Sequence, residues 1–253
     1  MNPWFEKVHD VIRRYADQHE IEFRVGVHRA DRFEAGLDST HVDAVNQFAK
    51  LFQQFACDQP ETWTVESRCG YHTAYYADNV RQRAYAANQT FIFVRKTRVV
   101  PPVDLDVHDR MADLRLAVSA EEKLDPAPYQ ALEPHSIHYM ERVSATEQIP
   151  LGPSQHMVRF RYDVSQVSPA GRTKKDCSGK LCTFHIELEL EPVERKVLEH
   201  ASHLIARLFC DRALSLAGTH NRDKQKLPMP FVTLRAKQTA AGDSASRARG
   251  PPP

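Results

Sequence analysis

His185-Ile186-Glu187-Leu188-Glu189-Leu190-Glu191 alternates without interruption. Successive side chains of an extended chain leave on opposite faces, so Ile186, Leu188 and Leu190 share one face and Glu187, Glu189 and Glu191 the other. The same pattern stands near the amino terminus in His19-Glu20-Ile21-Glu22-Phe23-Arg24, where Glu20, Glu22 and Arg24 oppose Ile21 and Phe23. The apolar faces belong to a core. One acidic strand face is ordinarily solvated surface, and that plain reading suits either strand alone. Two such strands shift the balance, because the chain also carries alternating basic residues: Arg81 with Arg83, Lys96 with Arg98, and Arg159 with Arg161 and Asp163. Charges of both signs on the inward faces of a closed barrel can satisfy one another. Stacked carboxylates raise one another's pKa unless a cation lies between them, and oxygen-only donors select Mg2+ or Mn2+ over zinc.

The rest of the chain supplies the sheet. Short segments rich in β-branched and aromatic residues run from Trp63 to Cys69, Tyr71 to Tyr76, Val80 to Tyr85, Phe91 to Val99, Asp113 to Ala120, Ile137 to Val143 and Met157 to Val164, separated by Pro, Asp and Asn. A strand over Leu181 to Leu190 completes a large antiparallel sheet. Helical spacing of Phe5, Val8, Ile12 and Tyr15 predicts an amphipathic helix over Pro3 to Asp17. A second helix, capped by Asp38 or Ser39, runs to about Cys57 with Val42, Val45, Phe48, Leu51, Phe52 and Phe55 on one face. Pro192 opens a third along Val197, Leu198, Ala201, Leu204, Ile205, Leu208 and Phe209. Pro230 to Leu234 reads as a last strand. Residues 236–253 hold no large apolar side chain and read as a disordered tail, leaving one domain over 1–235.

Composition narrows the chemistry. With 34 Lys and Arg against 33 Asp and Glu, the net charge is +1, so any polyanion site is local rather than a property of the whole surface. The five cysteines, at 57, 69, 177, 182 and 210, suit reduced thiols; Cys177 and Cys182 near His185 form at most half a zinc site, lacking a second pair. Nine glycines and no glycine-rich phosphate loop mean that any bound phosphate is held by side chains. No apolar run is long enough for a membrane span and the first fifteen residues are charged throughout, so the expectation is a soluble intracellular protein.

With Glu20-Ile-Glu22 near the start and Glu187-Leu-Glu189-Leu-Glu191 near the end, the chain resembles the fungal and protozoan mRNA 5′-triphosphatases of the triphosphate tunnel metalloenzyme family. Tyr76-Ala-Asp-Asn-Val-Arg81, Val94-Arg-Lys-Thr-Arg98, Asp113 to Glu121, Glu141-Arg-Val-Ser144 and Arg161-Tyr-Asp-Val-Ser165 are similar to that family's central strands, so the resemblance spans roughly 19 to 191. One departure is plain: where the family carries alternating basic residues leading into Arg142, this chain has His138 and Met140.

The resemblance implies an α+β fold, an eight-stranded antiparallel barrel with amphipathic helices outside. It implies Mg2+ or Mn2+ held by Glu20, Glu22 and Glu191, with Glu187 and Glu189 contributing to the ion or its water shell. Glu121 is the implied orienter of the attacking water, and Arg81, Lys96, Arg115, Arg142 and Arg161 are the implied phosphate clamps, with Asp163 orienting a neighbouring base or water. The choice among Arg95, Lys96 and Arg98 stays open. The implied activity is removal of the γ-phosphate from the 5′-triphosphate end of nascent RNA, the first step of mRNA capping, in the nucleus, with guanylyl transfer left to a separate polypeptide. Two rivals remain. One is an inorganic, nucleoside or thiamine triphosphatase of the same fold, whose members carry Glu-x-Glu-x-Lys where this chain has Arg24; the other is a non-catalytic scaffold that binds RNA ends.

Overall fold

The computed structural model describes residues 4–29, 32–38, 44–85, 90–105, 112–129, 131–152, 156–169 and 182–218. Cys177, the segment Pro230 to Leu234 and the tail from 236 lie outside the described residues. In chain order the elements are α1 (Phe5–Tyr15), β1 (Glu20–Arg29), β2 (Arg32–Ala35), β3 (Leu37–Asp38), α2 (Ala44–Asp58), β4 (Trp63–Val65), β5 (Cys69–Tyr75), β6 (Val80–Tyr85), β7 (Thr90–Arg98), β8 (Val103–Leu105), β9 (Asp113–Leu124), β10 (Ser136–Pro150), β11 (Met157–Pro169), β12 (Thr183–Leu190) and α3 (Arg195–Gly218).

Eight of these strands close a barrel. Antiparallel neighbours follow in the order β1, β12, β11, β10, β5, β6, β7, β9, and β9 returns to β1 from Glu20↔Ser119 to Gly26↔Asp113. The remaining four are short attachments: β2 on β1, β3 on β12, β4 on β10 and β8 on β9. Closure leaves no unpaired edge among the eight, which removes the usual liability of a large antiparallel sheet.

Alternation decides what each face meets. Ile21, Phe23 and Val25 of β1, Leu188 and Leu190 of β12, Phe160 and Tyr162 of β11, and Leu114, Leu116 and Val118 of β9 point outward and are buried under helices. Val8 and Ile12 of α1 and Ile205 and Phe209 of α3 cover them; Phe209 meets Phe23 at 4.7 Å and Phe160 at 5.7 Å between ring centroids. Phe48 and Phe52 of α2 lie against Trp63 and Tyr162. The hydrophobic core therefore sits outside the barrel wall, and each fully buried large side chain there stabilises the fold by about 1.5–3 kcal/mol. The barrel interior is left to the polar face. Gly26 marks a close approach, since a Cβ there would strike the Glu34 carbonyl and the Phe33 ring of β2.

Beneath α3 one polar cluster interrupts the apolar layer. Arg212 donates to both oxygens of Glu147 at 3.2 and 2.9 Å, and the Tyr162 hydroxyl donates to Glu147 at 2.6 Å. All three are almost fully buried, so the helix is held on β10 and β11 by one specific ion pair as well as by apolar contact.

The structure differs from the sequence-based expectation at several elements. Asp38 is the end of β3, its backbone paired with Thr183, and Ser39, the other cap expected for α2, lies outside the described residues. The segment expected as one strand from Trp63 to Cys69 is broken into β4 and the start of β5, because Glu66 to Arg68 leave the ladder. β10 continues to Pro150 and β11 to Pro169, well past the alternating stretch, because the two strands pair with each other over Pro150↔Met157 to His138↔Pro169. The third helix begins at Arg195 rather than Pro192, after Val193 has donated its N–H to Ala16.

Candidate active site

The inward face of the barrel encloses a cavity of about 510 Å3. Its lining mixes carboxylates from β1 and β12 with cations from β6, β7, β10 and β11. From β7, Lys96 Nζ donates to Glu20 of β1 at 2.6 Å and to Glu22 at 3.3 Å, with Glu121 3.9 Å away. Arg24 binds Glu22 at 2.7 Å and reaches Glu187 at 3.4 Å. Arg142 donates to Asp163 and to Ser165 Oγ, both at 2.8 Å, and lies 3.6 Å from Glu187. Arg161 donates to Asp163 at 3.2 Å and Glu66 at 3.0 Å, while Ser144 donates to Asp163 at 2.5 Å. Arg83 stands 3.7 Å from Glu121.

Charge is unevenly balanced along this lining. Burial and the neighbouring Glu187 and Glu20 push the Glu22 carboxyl above its ordinary range, against the pull of Arg24 and Lys96. Burial, Glu20 and Asp163 push Glu189 up to about 8. Glu187 goes the other way: burial opposes its charge, but Arg24, Arg142 and Lys96 hold its carboxyl below the usual range. The cations thus outweigh burial at Glu187, whereas burial outweighs them at Glu22 and Glu189.

No family model matches the chain, and no curated protein matches it either. Solved structures do. The Pct1 RNA triphosphatase of S. pombe superposes with a TM-score of 0.69 at 15% identity, covering 87% of this chain and 95% of that one. Pct1 in complex with the Spt5 CTD gives 0.65 at 15% identity, covering 87% and 94%. The fold is that of the triphosphate tunnel. A Mimivirus capping-enzyme triphosphatase structure is also similar, at 11% identity and a TM-score of 0.45, over 81% of this chain and 95% of that one.

The tunnel gathers most of the residues singled out in the sequence. Glu20, Glu187, Glu189, Glu121, Arg81, Lys96, Arg142, Arg161 and Asp163 line the main cavity, and Glu22 lines an adjoining space that shares Arg24, Arg81 and Lys96 with it. Of the three basic residues on β7, Lys96 faces the main cavity; Arg95 turns outward to Glu122 at 3.1 Å, and Arg98 lines only the adjoining space. Two residues are placed elsewhere. Arg115 is gripped by Asp104 at 2.5 and 2.9 Å, lies over the Phe33 ring at 4.5 Å, and faces the adjoining space. Glu191 follows β12, one register step beyond Ile21↔Leu190 and so level with Glu20, but its carboxylate lies 3.8 Å from Arg159 and lines a separate outer pocket. Arg83, Glu66, Ser144 and Ser165 escaped the sequence reading as site residues. Arg83 was legible by its alternation with Arg81, whereas the two serines carry no signal apart from their place on a charged face.

Among the described residues no three carboxylate, imidazole or thiol groups converge closely enough to hold an ion as they stand. Lys96 takes the place between Glu20 and Glu22. The donor chemistry nevertheless fits a hard divalent cation. Glu20, Glu22 and Glu189 offer only oxygen, and Ser119 Oγ, paired by register with Glu20, is buried without a hydrogen-bond partner.

Proposed function

We propose that the protein is a metal-dependent polynucleotide 5′-triphosphatase that removes the γ-phosphate from nascent RNA ends as the first step of mRNA capping. The observation that carries this reading is the mixed charge of the tunnel: Arg24, Arg81, Lys96, Arg142 and Arg161 lie along the same lining as the carboxylates Glu20, Glu22 and Glu189. A polyphosphate needs the first, and a divalent ion with its phosphate ligand needs the second. Pct1, an RNA triphosphatase by its description, shares the fold, which supports the reading without fixing the substrate.

Glu20, Glu22 and Glu189 would hold Mg2+ or Mn2+, with Glu187 braced behind them by Arg24 and Arg142 and Glu191 at their edge. An ion bound there supplies positive charge to the oxygens of the γ-phosphate. The chain's own groups do the rest. Lys96, which lies between Glu20 and Glu22, would be available to the phosphate oxygens if those carboxylates held an ion. Arg142, held by Asp163 and Ser165, presents a fixed guanidinium fork to the charge that develops on the transferred group. Asp163 is itself fixed by Ser144 and Arg161, so the fork is positioned before substrate arrives. Glu121, beside Lys96 and Arg83, accepts a hydrogen bond from the attacking water and aligns it with the leaving β-phosphate oxygen. Because phosphoryl transfer asks for alignment and charge neutralisation rather than a covalent intermediate, no nucleophilic side chain is needed.

One observation favours the scaffold reading. Lys96 closes the Glu20 and Glu22 pair with an internal ion pair, an arrangement that is stable without any ion. Release of 32P from γ-labelled triphosphate-ended RNA with Mg2+ or Mn2+ decides between them, with Glu20→Ala and Glu22→Gln as controls that remove it. RNA binding with release at background in every metal tested would establish the scaffold. We further propose a nuclear location and guanylyl transfer by a separate polypeptide.

A further inference from the structure

One belt of the tunnel carries no charge. Tyr71 of β5, Met140 of β10, Val167 of β11 and Thr183 of β12 stand in direct register across four neighbouring strands, and all four line the cavity. Tyr71, Met140 and Val167 pack into a small apolar cluster. The Thr73 hydroxyl donates to Met140 Sδ at 3.4 Å, and the Tyr75 and His138 rings meet edge-on at 5.3 Å on the same side of the belt. Arg142 follows at the next inward position of β10 and its guanidinium lies 5.8 Å from the centre of the Tyr71 ring, so the belt adjoins the charged zone.

A bare polyphosphate is charged along its whole length and gains nothing from an apolar wall, which offers its oxygens no donors. The uncharged, flat part of a nucleotide fits such a wall, because every base presents an apolar face and the ribose an apolar edge. The Arg81 guanidinium lies over the Tyr75 ring at 5.7 Å, where the uncharged and cationic surfaces meet.

We propose that the Tyr71, Met140 and Val167 belt is a nucleoside subsite that seats the ribose and base of the 5′-terminal nucleotide while Arg24, Arg81 and Lys96 take its phosphates. The proposal rests on the triphosphatase reading and adds its selectivity: the tunnel prefers a triphosphate that carries a nucleoside over inorganic tripolyphosphate. Met140, in register with Tyr71 on one side and Val167 on the other, is the residue that joins the belt.

Calorimetric binding of ATP and of tripolyphosphate without added metal tests the subsite separately from turnover. The wild-type protein binds ATP at least about tenfold more tightly than tripolyphosphate. Met140→Gln keeps length but places an amide in the belt, and it shrinks that ratio at least about fivefold; Met140→Leu holds the ratio within about twofold. Val167→Thr, a second polar change of similar shape, shrinks it as well and serves if Met140→Gln melts early. Equal affinities in the wild-type protein, or a ratio unmoved by both polar variants, would overturn the subsite. A preserved ratio in a protein that releases no phosphate would instead sink the enzymatic reading and leave the subsite standing.

Discussion

Glu121 and Arg142 both carry charge into the same cavity, yet their surroundings give them different duties. Glu121 is the more exposed, and its ion pairs among the described residues are the long ones to Lys96 and Arg83 at 3.9 and 3.7 Å, which leave its carboxylate able to engage a water. Glu121→Ala is expected to lower kcat at least about a hundredfold while KM changes little, since its contact forms with the reacting water rather than with bound substrate. Arg142 is locked by Asp163 and Ser165 and presents a planar fork that a lysine lacks. Arg142→Lys is expected to raise KM and lower kcat, each by about tenfold or more. Steady-state kinetics on triphosphate-ended RNA read both, and near-normal constants for both variants would remove the two residues from the machinery. At this scale alternation made the acidic faces of β1 and β12 legible, while the choice among Arg95, Lys96 and Arg98 needed the structure. Pairing was not legible, because it depends on what stands across the barrel: Asp104 of the short β8 ties up Arg115, and Arg159 draws Glu191 away, and neither partner is marked in the sequence as such.

At the scale of elements, α3 is joined to the barrel by the buried Glu147, Arg212 and Tyr162 cluster. Removing one member strands the others in an apolar layer. Glu147→Ala is expected to cost about 3–5 kcal/mol of unfolding free energy in urea titration, whereas the paired replacement Glu147→Leu with Arg212→Met costs much less. Equal losses would show that the cluster acts through packing alone. Glu147 lies in the part of β10 that sequence reading left out. Its strand character comes from neighbours on both sides, β4 at Glu147↔Trp63 and β11 at Glu147↔Phe160, and a single chain segment carries no mark of partners so distant. The strands with clean alternation, β1 and β12, were readable because one face is core and the other tunnel. The short β2, β3 and β8 were not, since two to four residues show no period.

For the whole molecule, the arrangement inverts the usual globular plan: apolar side chains lie outside the barrel wall beneath three helices, and the centre is polar. The eight-stranded barrel with helices outside was what the resemblance carried by the two acidic strands implied; that these strands are neighbours was not legible in the sequence. They meet at Glu22↔Glu189 and Arg24↔Glu187. Residues 236–253 contain no large apolar side chain, so their deletion is expected to leave both the melting temperature and phosphate release unchanged. Loss of either would give that segment a part in the fold or the site. The central claim is that the tunnel cleaves a terminal phosphate with a divalent ion at Glu20, Glu22 and Glu189. It is tested most directly by following γ-phosphate release from end-labelled triphosphate RNA while Mg2+ or Mn2+ is titrated and then chelated. The account expects release that saturates with metal, stops on chelation, yields a diphosphate end, and is lost in Glu20→Ala and Glu22→Gln; release that persists without metal, or that survives in both variants, would contradict it.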